Sequence, residues 1–264
     1  MGEFIHLHVA SGFSLRYGAA FPERIAERAA ELEMPAVALT DREGLYGAVR
    51  FANACTDVGV AAIIGVDVPL VHSGAAMAAP MFGGAVADTR PERITVLARG
   101  AAGMVGINRL TSAHHADGIS VDVVQRVAEI VSVVAAADEG LTVLLGPNSD
   151  VGRAVAQRKY QQAHDLLRRW RETGAEIVCE IVSHRSRDAI VPATDFGMPL
   201  STLNAARMWQ FAEAQHAPTV LTNAVRFVDP SQARVTDILD ATRRLVPLSH
   251  KNVDRTNGEG YLKS

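Results

Sequence analysis

The sequence contains few cysteines, few aromatic residues and no long apolar run. Its 264 residues include 2 cysteines, Cys55 and Cys179, and these are far apart in the chain. We therefore expect neither a disulfide scaffold nor a cysteine-rich zinc site, and the pattern is typical of a reducing compartment. No apolar stretch is long enough to cross a bilayer, and the first residues lack the pattern of a secretion signal. The sequence thus predicts a cytoplasmic protein without a membrane partner.

The chain also lacks an excess of basic residues. It has 26 Lys and Arg against 29 Asp and Glu, which gives a formal net charge of −3. A protein that binds DNA over a broad surface needs a clear positive excess, so this class is not expected. Contact with DNA would have to be local, or made by another part of a longer protein. The hydrophobic fraction of 48% is ordinary for a soluble globular protein.

Short apolar runs alternate with amphipathic segments of helical length along most of the chain. This rhythm predicts an α/β fold, a distorted (β/α)7 TIM-like barrel that occupies residues 1–264 as a single domain. The predicted strands are residues 4–8, 35–41, 60–71, 93–99, 141–146, 175–182 and 218–227. The predicted helices are residues 22–34, 45–59, 101–115, 120–137, 160–174, 203–216 and 231–245.

Two segments do not follow this alternation. Residues 72–92 are rich in Gly, Ala and Pro without any period, which predicts a flexible surface insertion. Residues 249–264 are mostly polar, and no element of the predicted fold ends at their last residue. We therefore expect a tail that leads toward a further part of a longer chain.

Several polar side chains stand at or near the ends of predicted strands. In a β/α barrel the carboxyl ends of the strands meet at one face, where chemistry is usually found. His6 and His8 are two residues apart on the first strand, a spacing that lets both imidazoles bind one ion. Histidines that only form hydrogen bonds within a packed barrel would show the same pattern. The same barrel mouth is expected to contain Asp41, Arg42, Asp67 and Arg226.

Four motifs in a fixed order resemble one family. They are His6-Leu7-His8, "AVALTDREGLYGAVRF" at 36–51, "IIGVDV" at 63–68 and "VLTNAVRFVDP" at 220–230. Together they resemble the polymerase and histidinol phosphatase (PHP) domain, above all the version in the bacterial DNA polymerase III alpha subunit and its error-prone relatives. The resemblance covers almost the whole chain. It implies a distorted β/α barrel, which in active members holds divalent ions for phosphoester hydrolysis.

The same resemblance implies what surrounds the domain. The parent chain would be a DNA-directed DNA polymerase, a nucleotidyltransferase that acts in replication or in error-prone repair synthesis. The partner of this region would be the polymerase core of the same parent chain, and DNA would be contacted only through that parent. The sequence does not distinguish the replicative from the error-prone subclass.

The chain departs from the family at several positions that match metal ligands. His6 and His8 are kept and Asp67 retains a carboxylate, but four of the family's other ligands are replaced by Tyr17, Arg42, Ala224 and Arg226. A guanidinium has no lone pair to donate and remains charged, so arginine cannot bind a metal ion and repels it. We therefore expect no catalytic residue and no cofactor. The residues of a vestigial metal cleft would be His6, His8, Asp41, Arg42, Asp67 and Arg226.

Our hypothesis is that the two arginines supply the charge that metal ions supply in active members. Arg42 and Arg226 would pair with Asp67 or Asp41, because a buried carboxylate without compensation is unfavourable. In the alternative, both arginines face solvent and Asp41 caps the following helix.

Two further functions stay open. One is a metal-dependent phosphoesterase, a 3′–5′ exonuclease or a pyrophosphatase, with a single Zn or Mn ion on His6, His8 and Asp67. The other is a free-standing small-molecule phosphatase, and an arginine-rich mouth could also bind an anion without hydrolysing it.

Overall fold

A computed structural model describes residues 4–71, 91–185, 200–245, 247–249 and 257–264. These ranges contain six strands and eight α-helices, with a short 3-10 helix at Pro230–Gln232. The strands are β1 Ala36–Arg42, β2 Ala61–Pro69, β3 Arg93–Arg99, β4 Gly140–Leu145, β5 Glu176–Val182 and β6 Thr219–Thr222. The helices are α1 Pro22–Glu31, α2 Ala48–Val58, α3 Gly100–Ala116, α4 Val121–Ser132, α5 Asp150–Ala156, α6 Tyr160–Arg171, α7 Thr202–Ala214 and α8 Ala233–Arg244. Most of the insertion predicted at 72–92 lies outside the described residues.

The chain forms two compact units. Unit 1 contains Met1–Asp67 and Thr222–Ser264, and unit 2 contains Val68–Leu221. The single domain expected over residues 1–264 remains a prediction.

Unit 1 has a parallel strand pair with two helices that pack on each other. β1 and β2 are in register from Ala36 opposite Ala61 to Arg42 opposite Asp67. Pro22 begins α1, where its missing N–H is harmless, and α2 ends at Gly59, whose φ of 74° suits a left-handed helix cap. The core of this unit is apolar and includes Ile25, Leu39, Phe51, Val225 and Leu262. The strand register thus places Arg42 next to Asp67.

The first predicted strand is wrong. Residues 4–8 form no regular strand, because their carbonyl groups are shared between two neighbours instead of forming a ladder with one. The carbonyl of His6 accepts the N–H of Ala38 at 2.9 Å, whereas the carbonyl of His8 accepts the N–H of Val225 at 2.8 Å. The segment is nevertheless held on both sides, so the backbone of the His-x-His pair has a defined position.

The described end of the predicted tail packs onto unit 1. Leu262 is fully buried, and its N–H donates to the carbonyl of Phe227 at 3.1 Å. Gly260 accepts the N–H of Arg226 at 2.9 Å. The apolar pair Tyr261-Leu262 within a polar stretch explains this anchoring, which the overall polarity of the segment concealed. Whether residues 249–264 lead toward a further part of a longer chain remains a prediction.

Unit 2 is an α/β arrangement with a mixed sheet. β3 pairs with β4 in the antiparallel direction, and β4 pairs with β5 in the parallel direction. The uniformly parallel order expected for a barrel is therefore wrong at β3, where the helical hairpin of α3 and α4 returns the chain in the opposite direction. The short helix α5 was not predicted, although the hydroxyl of Ser149 caps its start.

The structure contains no helix long and apolar enough to span a membrane within the ranges that it describes.

Candidate functional site

All six residues of the predicted cleft lie in unit 1. They come from the segment before α1, from the carboxyl ends of β1 and β2, and from the segment after β6. Four of them are buried, namely His6, Asp41, Asp67 and Arg226, and the other two, His8 and Arg42, are half-buried. All six side chains are thus at least partly withdrawn from solvent.

Arg42 forms the ion pair that the sequence suggested with Asp67. Its Nε donates to Oδ2 of Asp67 at 3.2 Å, and the carboxylate is almost completely buried. The two residues are direct partners in the parallel register of β1 and β2, so the pair follows from the strand alignment. According to the resemblance, an acidic side chain at this position binds metal in active members, and here it is paired with a guanidinium.

Tyr17 lies between the two arginines. The Cζ atom of Arg42 is 3.2 Å from the centre of the Tyr17 ring, and that of Arg226 is 4.1 Å away. Cations over an aromatic face are attracted by the ring quadrupole. Burial would raise the pKa of Tyr17, but the charges of Arg42 and Arg226 outweigh it and lower that pKa below the usual value. The surroundings of this phenol are therefore strongly electropositive.

Arg226 has a partner that the sequence did not suggest. Its two terminal nitrogens donate to both carboxylate oxygens of Asp240 on α8, at 3.0 and 2.8 Å. Its Nε and Nη2 also donate to the backbone carbonyl of Tyr17, at 3.2 and 3.1 Å. Arg243 donates to the same carboxylate at 2.7 Å. The expected pairing of Arg226 with Asp41 is wrong, because α8 supplies Asp240 instead, and a pairing of Arg226 with Asp67 stays a prediction.

Asp41 serves a structural network instead of a charge pair. It accepts hydrogen bonds from the backbone N–H of Ser11 at 2.7 Å, from the Ser11 hydroxyl at 2.8 Å, and from the Ser14 hydroxyl at 2.7 Å. Burial raises the pKa of Asp41, and these hydrogen bonds oppose the rise. It does not cap α2, which begins without a side-chain cap at Gly47. Both proposals for Asp41, an ion pair and a helix cap, are therefore wrong.

His6 is tied to the end of the described chain. Its Nε2 lies 3.0 Å from the carbonyl oxygen of Lys263 and 3.2 Å from the amide nitrogen of the same residue. Burial lowers the pKa of His6 to about 4, so the imidazole is neutral near pH 7. The Nδ1 atom is buried and has no hydrogen-bond partner within the described part of the chain. One ring nitrogen of the His-x-His pair is thus already engaged by the backbone.

The residues present do not fit the divalent ions that the PHP resemblance implies. Among the described residues, no three His, Cys, Asp or Glu side chains are grouped so that they could hold a metal ion. Asp67 is bound by Arg42, and Nε2 of His6 is bound by the Lys263 backbone. Two guanidinium groups also stand beside the ring of Tyr17, where they repel a cation. We therefore derive no hydrolytic step for this cleft.

Ala224 keeps an unusual backbone conformation at one of the substituted positions. Its φ is 44°, in the left-handed region that Asn and Asp tolerate better than Ala. According to the resemblance, an aspartate ligand stands at this position in active members. Strained backbone of this kind is typical of functional sites, and here it persists without the ligand side chain.

The comparisons with known proteins agree with the motifs. The model of the PHP domain family matches residues 6–184, which is more than half of the chain. The error-prone DNA polymerase of Mycobacterium tuberculosis is 31% identical over 254 residues, covering 91% of this chain and 20% of that protein. The DNA polymerase III subunit alpha of Caulobacter vibrioides is 29% identical over 229 residues, covering 86% of this chain and 18% of that protein. The chain thus spans about a fifth of the length of these two relatives.

A solved structure of an amidohydrolase from Chromobacterium violaceum, with bound sulfate and no metal, is also similar. It is 15% identical, covers 84% of this chain and 87% of its own, and superposes with a TM-score of 0.48. That score is too low to support an argument about this chain. The family match, together with the strand and helix content, confirms the predicted α/β fold class.

Proposed function

Because this chain belongs to the PHP domain family, we propose that it is the PHP region of a longer bacterial DNA polymerase, of the polymerase III alpha or error-prone type. The support is an alignment that covers 91% of this chain but only 20% of the error-prone polymerase of M. tuberculosis. Nucleotidyl transfer and DNA binding would then belong to other parts of the parent chain. Within the parent, this region would act as a structural module.

We also propose that the module has lost phosphoester hydrolysis. The observation that carries this proposal is the stacking of Arg42 and Arg226 around the ring of Tyr17, at 3.2 and 4.1 Å. All three residues stand at positions where the resemblance implies metal ligands. Two like unit charges about 4 Å apart repel each other by about 4 kcal/mol at an intermediate dielectric, so a divalent ion beside two guanidinium groups would be strongly disfavoured.

The arginines also explain how the rest of the cleft remains stable without metal ions. Asp67 and Asp240 are buried carboxylates, and such groups are unfavourable unless a positive charge compensates them. Arg42 neutralises the first and Arg226 the second. The arrangement of the cleft would thus be preserved because two arginines take the place of the metal ions.

A hydrolysis assay tests the loss of activity. The chain is purified without chelator, supplied with Zn²⁺ or Mn²⁺, and incubated with a generic phosphodiester and with single-stranded DNA. We expect the wild type and His8→Ala to give the same background rate with both substrates. Metal-dependent hydrolysis that disappears in His8→Ala would instead establish a phosphoesterase with a reduced site on His6, His8 and Asp67.

Membership of a polymerase is tested separately by the gene. The reading frame after the codon for Ser264 should continue into a region with spaced aspartates of the kind that bind the two metal ions of a polymerase. A stop codon directly after Ser264 would contradict the proposal and favour a free-standing protein.

A further inference from the structure

A groove in unit 2 is lined by none of the residues of the unit 1 cleft. It runs between α3 and α4, which form a helical hairpin joined by a connection of four residues, 117–120. Helices joined by so short a connection pack side by side in opposite directions. The open space between them has a volume of about 670 Å³. Both walls of this groove belong to one compact unit, so its shape is defined by a single hairpin.

Two arginines line the groove, one from each helix. On α3 the lining side chains include Val105, Arg109 and Ser112, and on α4 they include Arg126 and Ile130. Each set recurs every third or fourth residue and so forms one face of its helix. Because the helices run in opposite directions, Val105 and Ile130 belong to the end of the groove away from the connection, and Arg109 and Arg126 lie one turn closer to it.

Neither guanidinium is neutralised by its surroundings. In the part of the chain that the structure describes, Arg109 and Arg126 take part in no ion pair or hydrogen bond. The lining contains one acidic side chain, Asp117, at the end of the groove near the connection. Two like charges on opposite walls repel each other, and an anionic group placed between them would relieve that repulsion and accept hydrogen bonds from both.

The other end of the groove is apolar and exposed. Val105 and Ile130 are each 44% exposed, and directly after α4 come Val133 at 83% and Val134 at 66%. Exposed aliphatic side chains that cluster in this way are typical of surfaces that bind a partner. The groove therefore offers an aliphatic end next to a pair of positive charges.

We propose that this groove binds an acidic, aliphatic segment of a partner protein. A carboxylate of the segment lies between Arg109 and Arg126, and its aliphatic side chains pack on Val105 and Ile130. An amphipathic segment in a groove between two helices is a common mode of peptide recognition. Nucleic acid fits less well, because the lining contains no aromatic side chain on which a base could stack. The proposal is independent of the function proposed for the cleft in unit 1.

The test is a selection from a displayed library of random peptides. The library is bound to the full chain and depleted on the double variant Arg109→Glu/Arg126→Glu, so that only peptides that depend on the arginines remain. We expect the enriched sequences to contain Asp or Glu next to Leu, Ile or Val. Fluorescence anisotropy with an enriched peptide should show affinity reduced about tenfold by either single substitution, the size of one lost charge-assisted hydrogen bond.

A matched control comes from the same unit. Arg168 on α6 is 68% exposed and does not line the groove, so Arg168→Glu should leave the affinity unchanged. All substituted arginines are exposed on helices, and thermal unfolding should show that each variant is folded. The proposal is overturned if no peptide distinguishes the wild type from the double variant, or if the enriched peptides are not acidic. Displacement of the peptide by single-stranded DNA, with the same loss in the double variant, would also overturn it in favour of a nucleic acid.

Discussion

Replacing Arg226 by methionine tests whether the guanidinium groups hold the cleft together. The substitution removes two hydrogen bonds to Asp240 and two to the Tyr17 carbonyl, and it leaves the Asp240 carboxylate buried. Methionine keeps much of the length of the arginine stem, so the lost charge is the main change.

The size of the effect can be estimated from the burial of the pair. The side chain of Arg226 is 4% exposed and that of Asp240 is 1% exposed. Removing one member of a buried ion pair usually destabilises a protein by about 3 to 5 kcal/mol, because the other charge stays uncompensated. Arg243 still contacts Asp240 at 2.7 Å in the variant, so we expect the lower end, about 3 kcal/mol.

Urea unfolding followed by circular dichroism measures this change, provided that the dependence of the unfolding free energy on urea is the same in both proteins. Arg24 is a suitable control, since it contacts Glu27 and Glu31 at 3.1 and 2.7 Å but is 45% exposed. Arg24→Met should lower the free energy of unfolding by less than about 1 kcal/mol. The double variant Arg226→Met/Asp240→Leu should recover most of the loss. A loss below about 1 kcal/mol in Arg226→Met would show that this guanidinium does not hold the cleft together.

Three further predictions concern the same cleft. Burial lowers the pKa of His6 from 6.5 to about 4. The contribution of His6 to the free energy of unfolding should therefore be complete above pH 6.5 and fall by about 3 kcal/mol as the pH drops through 4. Urea unfolding in a pH series should show this fall in the wild type and not in His6→Gln. Ser14→Ala removes a donor to buried Asp41 and an acceptor for the N–H of Arg42. Thermal unfolding should show that the free energy of unfolding falls by about 2 kcal/mol. An unchanged free energy of unfolding would mean that water replaces the hydroxyl. Because Arg42 and Arg226 lower the pKa of Tyr17, the ultraviolet difference between the wild type and Tyr17→Phe should show a phenol that ionises below pH 10.0, and ionisation above that pH would contradict the electropositive surroundings.

The ion pair of Arg42 with Asp67 could be inferred from the sequence, because Arg42 directly follows one predicted strand and Asp67 lies in the next strand of the same parallel sheet. The partner of Arg226 could not. Asp240 lies 14 residues further along the chain in a helix whose pattern is largely polar, and its burial arises only when α8 packs against the segment of Tyr17. The spacing of Asp240 and Arg243 suggests a surface ion pair at best.

The fold shows the same division between local and long-range information. Helices such as α1 and α2 were predictable from Pro22, Gly59 and the spacing of their apolar residues. The alternation in residues 4–8 suggested a strand, but their hydrogen bonds go to two different neighbours, which local sequence does not specify. The anchoring of Leu262 is likewise a long-range contact hidden within a polar stretch.

The proposed function rests on protein cations taking the place of metal ions in the cleft of unit 1. Its most direct test is elemental analysis of the full chain, purified without chelator and then equilibrated with Zn²⁺ and Mn²⁺ before free metal is removed. We expect only a small fraction of one ion per chain, and the same amount in His8→Ala. Two or three bound ions per chain, lost in His8→Ala, would show instead that the cleft is a working metal site.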